Sequence, residues 1–187
     1  LTISNPGGFI EGVTFQNILR VEFHGRNPAL ADTLKRIGLA GRSGRGVDRI
    51  FEGSLKFGRD LPDYSESTST CVKLFIPRGM PDEQIIRLLA DVQRRTGEPM
   101  PLNTLLVLHV LRQNRRMTLH EIVRESNIPE GKAHSTVKRL TEVGFLEAIG
   151  TGRSRAYVLS ARLYKRPEDY VRQTDVDQLR YRELVLK

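Results

Sequence analysis

The stretch Gly97-Glu98-Pro99-Met100-Pro101 most limits what this chain can fold into. Two prolines so close together cannot lie inside a helix, because each lacks an N–H and its ring collides with the preceding turn. Helical patterning flanks the break on both sides. Before it, Asp82 to Thr96 carries Ile85, Ile86, Leu88, Leu89 and Val92 at a 3.6-residue period. After it, LNTLLVLHVLRQ is apolar nearly all round and predicts a buried helix. The expected organisation is a domain over 1–80, a connecting helix and linker over 81–101, a second domain over 102–160, and a further link over 161–187.

Beyond the break the order of elements is specific. Asn114-Arg115-Arg116-Met117 reads as a turn, and Thr118-Leu119-His120-Glu121 as a capping box opening a short helix with Leu119, Ile122 and Val123 inside. Ser126-Asn127-Ile128-Pro129 is a tight turn before a helix over Glu130–Glu142 that buries Ala133, Val137 and Leu140. Two strand-like runs follow, 145–149 and 156–159, around the tip Gly150-Thr151-Gly152-Arg153-Ser154-Arg155. Helix, helix, turn, helix and basic-tipped hairpin is the order of a winged helix-turn-helix. A major groove about 12 Å wide admits one such helix. The expected DNA contacts are therefore Lys132, His134, Ser135, Lys138 and Arg139 on the helix, with Arg153 and Arg155 on the wing. Small winged helices also serve as protein-docking modules. Favouring DNA, helix and wing together hold five basic residues against the acidic Glu130, Glu142 and Glu147.

Composition narrows the partner only weakly. The net charge is +8, with 11 Lys/Arg against 8 Asp/Glu in residues 1–80 and 19 against 14 beyond. Such an excess fits a polyanion partner without identifying one. Cys71 is the one cysteine, so no internal disulfide forms, and the four histidines show no metal-ligand spacing. No apolar run approaches the roughly 20 residues that span a bilayer, so a cytoplasmic setting without membrane contact is expected.

In the N-terminal half, Thr2–Ser4 reads as a strand end, and Asn5-Pro6-Gly7-Gly8 as a turn. Thr14 is expected to cap a short helix over 14–19, and Asn27 with Pro28 to open another whose inner face is Leu30, Leu34 and Ile37. A glycine-rich loop, GLAGRSGRGVDRI, precedes a helix with Val47, Ile50, Phe51 and Leu55 facing inward, and residues 70–76 close as a strand. The loop has three readings: a turn with Gly44 or Gly46 at positive φ, an anion or nucleotide contact, or a nucleic-acid contact through Arg42, Arg45 and Arg49. The turn ranks first.

The segments SNPGGF, GVT, RNPALADTLKRIGL and GRSGRGVDRIFE resemble the C-terminal half of a divergent GHKL-type ATPase domain, the type found in gyrase and histidine kinases. This half-domain occurs in bacterial and archaeal transcriptional regulators, some named RecG-like. In them a Schlafen-like AlbA domain comes first and winged helices follow. The resemblance implies an α+β fold: a partial ATPase-like sheet-and-helix domain followed by a winged helix-turn-helix domain. It implies that Gly41, Gly44 and Gly46 match a glycine box that closes over nucleotide phosphates at a helix start. Asn5, Gly7 and Gly8 fall where the first glycine box lies, with Ser4 in place of its adenine-binding Asp.

The same resemblance implies that the helix carrying a catalytic Glu and a metal-binding Asn lies upstream of residue 1. ARLYKRPEDYVRQ resembles a link into a further winged helix, so the chain reads as a piece of a longer protein. No catalytic residue or metal ligand is assigned, and no cofactor, with ATP left open for the parent. The expected function is a DNA-binding transcriptional regulator whose ATPase-like domain is a sensor or scaffold, with duplex DNA as partner and homo-oligomerisation open. The rival is an ATP-dependent enzyme acting on nucleic acid, whose winged helix docks partners or substrate. No GxxxxGK[ST] phosphate loop occurs in the chain.

Overall fold

The computed structural model describes residues 1–22, 25–39 and 45–164, and for Arg153 the backbone alone. It is a mixed α and β structure that divides into two compact units, Leu1–Asp82 and Glu83–Lys187.

In the first unit, β1 (Thr2–Pro6) pairs antiparallel with β2 (Cys71–Phe75), Ile3 opposite Leu74 and Asn5 opposite Val72. Helix α1 (Pro28–Arg36) begins as its sequence predicts: the Asn27 side chain accepts from the Leu30 amide at 3.0 Å, and Pro28 takes the first helical position. It ends with Gly38 at φ 79° and the Leu39 amide bonded to the Leu34 carbonyl at 2.9 Å. Its apolar face is not buried among the described residues. Leu30 is 55% exposed and Ile37 62%, although their spacing is that of an inner face. Residues 14–19 form no helix, and 15–19 are turns. The Asn17 side chain accepts from the Thr14 amide at 2.7 Å and donates to the Gly12 carbonyl at 2.9 Å, so local side-chain bonds replace the helical ladder. Helix α2 (Gly46–Leu55) buries Phe51, Ser54 and Leu55.

The second unit opens with α3 (Glu83–Thr96), expected as part of a connector. It belongs to the second unit, and Ile85, Leu88, Leu89 and Val92 are buried. Its Arg95 guanidinium lies 5.5 Å from the centre of the Phe145 ring. Helix α4 (Leu102–Gln113) buries seven residues on several faces and packs against α5 (Leu119–Ser126) and α6 (Glu130–Glu142). Between α5 and α6, Asn127 takes the left-handed conformation at φ 54°, which turns the chain sharply. Helix α6 ends at Gly144, φ 79°, with the Phe145 amide bonded to the Leu140 carbonyl at 2.8 Å. Strands β3 (Met117–Thr118), β4 (Leu146–Ile149) and β5 (Ala156–Leu159) form an antiparallel sheet with β5 in the middle. Strand β3 falls where the sequence predicts only a turn. Two residues show no periodicity, and their pairing with Tyr157 and Ala156 is what makes them a strand.

The capping box forms. The Glu121 carboxylate accepts from the Thr118 amide at 2.7 Å, and the Thr118 hydroxyl accepts from the Glu121 amide at 3.4 Å. The bonds from Thr118 hold the Glu121 carboxyl below its usual pKa. A carboxylate with a depressed folded pKa contributes stability above its unfolded pKa and loses it as pH falls through the folded value. The difference in melting temperature between the parent chain and Glu121→Gln is therefore expected to be largest near neutral pH and to shrink in acid. An equal difference at both pH values would show that the box stabilises by shape alone.

Candidate nucleic-acid interface

Helix α6 is amphipathic, and its buried stripe dictates which side chains point away. Ala133, Val137 and Leu140 are buried, so Gly131, Ser135, Lys138 and Glu142, spaced four, three and four apart, form the strip opposite. Lys132 and Arg139 flank it on one side and His134 on the other, and all seven residues are exposed. Each of the five helix residues predicted to meet DNA thus lies outside the buried stripe. Their surroundings differ. The Ser135 hydroxyl donates to the Lys132 carbonyl at 3.0 Å, and Lys138 Nζ stands 3.9 Å from the Glu142 carboxylate. Such an exposed ion pair contributes little and leaves the lysine accessible. The Arg139 guanidinium donates to the buried Thr104 hydroxyl at 3.4 Å, tying α6 to α4. Sequence periodicity had no means of finding that bond, since the residues are 35 apart.

The hairpin between β4 and β5 forms the wing. Gly150 (φ 78°) and Gly152 (φ 59°) turn the chain around a single 3-10 turn, Gly152–Ser154. The Ser154 hydroxyl donates to the Thr151 carbonyl at 3.0 Å, and the Arg155 amide to the Gly152 carbonyl at 3.3 Å. Arg155 is exposed immediately before buried Ala156 enters the sheet, and the Arg153 side chain lies outside the described residues. Because Ala156 pairs with Thr118, the base of the wing sits beside the start of α5. The arrangement offers an exposed helix and a basic hairpin, both held by the buried side chains behind them.

The glycine positions of the first unit divide. Gly7 has φ 91° and its amide donates to the Thr70 carbonyl at 2.7 Å. A Cβ on Gly8 would lie 2.7 Å from the Ser69 carbonyl carbon, so only glycine lets these two backbones approach. The Arg26 guanidinium locks the turn by donating to the Gly8 and Phe9 carbonyls at 2.6 and 3.3 Å. Asn5 is exposed on β1. Gly41, Arg42 and Gly44 lie outside the described residues. Gly46 is the first residue of α2 and does not have positive φ, and nothing lies within 4 Å of where its Cβ would be. The strain expected at Gly46 is therefore absent, because a helix start accepts any L-residue backbone. Arg45 precedes α2 without a side-chain capping bond, and Arg49 is exposed.

Known families match both units. Residues 1–74 match the family described as putative ATP-dependent DNA helicase recG C-terminal. Residues 102–150 match the IclR helix-turn-helix domain family. The chain is an ATPase-like segment followed by a helix-turn-helix domain. This is the domain combination its motifs resemble. No curated protein gives a significant match. Among solved structures, the DIP2311 protein from Corynebacterium diphtheriae is similar in fold, with a TM-score of 0.68 and 22% identity. That match covers 87% of this chain and 34% of the other, so this chain spans about a third of that structure's length. The helix-turn-helix match suggests a DNA-binding domain, and it spans α4, α5, α6 and β4. Among the described residues no helix is long and apolar enough to cross a membrane.

Proposed function

We propose that the helix-turn-helix unit binds duplex DNA through the exposed face of α6 and the wing, as part of a transcriptional regulator in which the ATPase-like unit is a sensor or scaffold. One observation carries this reading. Lys132, His134, Ser135 and Lys138 stand exposed on α6, the last helix of the helix-turn-helix, and Arg155 stands exposed on the wing. Lysine reads guanine acceptors or meets phosphate, serine serves either base, and a wing arginine reaches phosphate or the adjacent minor groove. Arg139, already bonded to Thr104, positions α6 and contributes less to DNA binding than its charge suggests.

Neutralised phosphates release counterions, so affinity for duplex should fall steeply with salt, and the log–log slope should flatten by about 0.9 for each phosphate that a variant no longer neutralises. Arg153→Ala with Arg155→Ala, and separately Lys132→Ala with Lys138→Ala, are expected to weaken binding and flatten that slope in fluorescence-anisotropy titrations. Unchanged affinity and slope in both pairs would remove DNA from the reading.

The matched family's description names an ATP-dependent DNA helicase, which supports a second reading as an ATP-dependent enzyme acting on nucleic acid. Against it, the Gly7 amide is bonded internally and Gly8 is explained by its approach to Ser69. Calorimetric titration of the chain with ATP is expected to show no tight binding. A low-micromolar constant would favour the enzyme.

A further inference from the structure

An α-helix with its side chains is about 10–12 Å across, and a major groove is about 12 Å wide. A helix seated there meets base edges with its central strip and the two sugar-phosphate walls with its flanks. On α6 the two flanks differ in kind. One holds Lys132 and Arg139, whose charges persist across the neutral range. The other holds His134, with Thr141 and Glu130 behind it toward the buried stripe. The Thr141 hydroxyl donates to the Val137 carbonyl at 2.8 Å, so it is turned back on its own helix. The cation-forming group of this flank is therefore an imidazole, the side chain whose charge changes between about pH 5 and 8.

Nothing in the free chain commits that imidazole to one form. Among the described residues it enters no hydrogen bond or ion pair. Along α6, Glu130 one turn before it favours the proton, and Lys138 one turn after it opposes the proton. The elements packed against α6 are α4, α5 and β4. Helix α4 carries His109 and Arg112, α5 carries His120, Glu121, Arg124 and Glu125, and β4 carries Glu147. Of these acids, Glu121 is bonded to Thr118, Glu125 to Arg124 and Glu147 to Ser160, and none is paired with His134. A DNA phosphate at this flank breaks the balance. It accepts a charge-assisted hydrogen bond from an imidazolium, which has two N–H donors where neutral imidazole has one.

We propose that His134 is a proton-dependent phosphate contact, so that duplex binding takes up a proton and strengthens as pH falls from about 8 to about 6. The sign follows from proton number: the bound chain holds more protons than the free chain, so lower pH favours binding. The inference rests on the DNA-binding reading above and adds a pH-controlled contact to it.

Fluorescence-anisotropy titrations of the whole chain with duplex, at about pH 6 and about pH 8 and one ionic strength, test this. The parent should bind roughly fivefold more tightly at the lower pH, within the limit of about tenfold per pH unit for uptake of one proton. Its log–log salt slope should be steeper there by up to about 0.9, one further phosphate neutralised. His134→Gln should bind alike at both pH values, as weakly as the parent at the higher one. His134→Lys should also bind alike at both, as tightly as the parent at the lower one. His120→Gln, which removes the exposed histidine at the start of α5, should keep the parent's pH dependence. A parent that binds duplex equally at both pH values overturns the proposal and leaves the DNA reading standing. So does a pH dependence that survives in His134→Gln or disappears in His120→Gln. A parent that binds no duplex at either pH overturns both.

Discussion

Replacing Phe145 with alanine is expected to destabilise the second unit by about 3–5 kcal/mol, the range for deleting a large buried aromatic side chain. Phe145 is 1% exposed and joins α6 to the sheet. Its amide closes the end of α6 on the Leu140 carbonyl, and its own carbonyl accepts from the Ser160 amide at 2.9 Å. Its ring also carries the Arg95 guanidinium of α3. Truncation therefore opens a cavity where α3, α6 and the strand pair converge, and it removes a cation–π interaction worth about 0.5–1 kcal/mol at an exposed site. Urea denaturation followed by circular dichroism measures the loss, and duplex affinity should fall with the folded fraction. Phe145→Leu, which keeps most of the apolar volume, should unfold between parent and alanine variant. An alanine variant within about 0.5 kcal/mol of the parent, the range of substitutions at uninvolved surface sites, would mean that Phe145 does not anchor the unit.

The second large effect is expected at Gly8 rather than in the glycine-rich loop. Gly8→Ala must push back the Ser69 backbone and disturb the Gly7–Thr70 bond beside it. Forcing an extra methyl group into a packed site costs about 1–3 kcal/mol. Gly46→Ala meets no neighbour, and at a compatible backbone position it should stabilise by about 0.4–1 kcal/mol by restricting the unfolded chain. Hydrogen exchange of the β1–β2 amides separates the two, with faster exchange in Gly8→Ala and equal or slower exchange in Gly46→Ala. The reverse order would return the conformational role to the loop.

Much of the candidate interface was legible from local pattern. The spacing of Ala133, Val137 and Leu140 determines which side of α6 is buried, and hence that Lys132, His134, Ser135 and Lys138 are exposed. What pattern could not show was that Arg139 bonds to Thr104. That bond depends on the distance between two helices. The glycines of the first unit misled for a related reason. The loop composition pointed to Gly44 or Gly46 as the strained position, Gly44 lies outside the described residues, and the demanding approach is at Gly8, where a remote backbone segment arrives.

By itself the sequence determined those elements whose causes lie within a few residues of one another. The Thr118–Glu121 capping box, the Asn27–Pro28 helix start and the Gly144 helix stop each satisfy or redirect nearby backbone groups, so the residue types suffice to place them. The all-round apolar α4 is likewise decided by composition alone. Tertiary structure decided the rest. Met117–Thr118 became a strand because β5, some forty residues away in sequence, offered an open edge. The face of α1 is amphipathic in sequence yet uncovered among the described residues, because periodicity states which side is apolar and only the arrangement of neighbours states whether anything covers it.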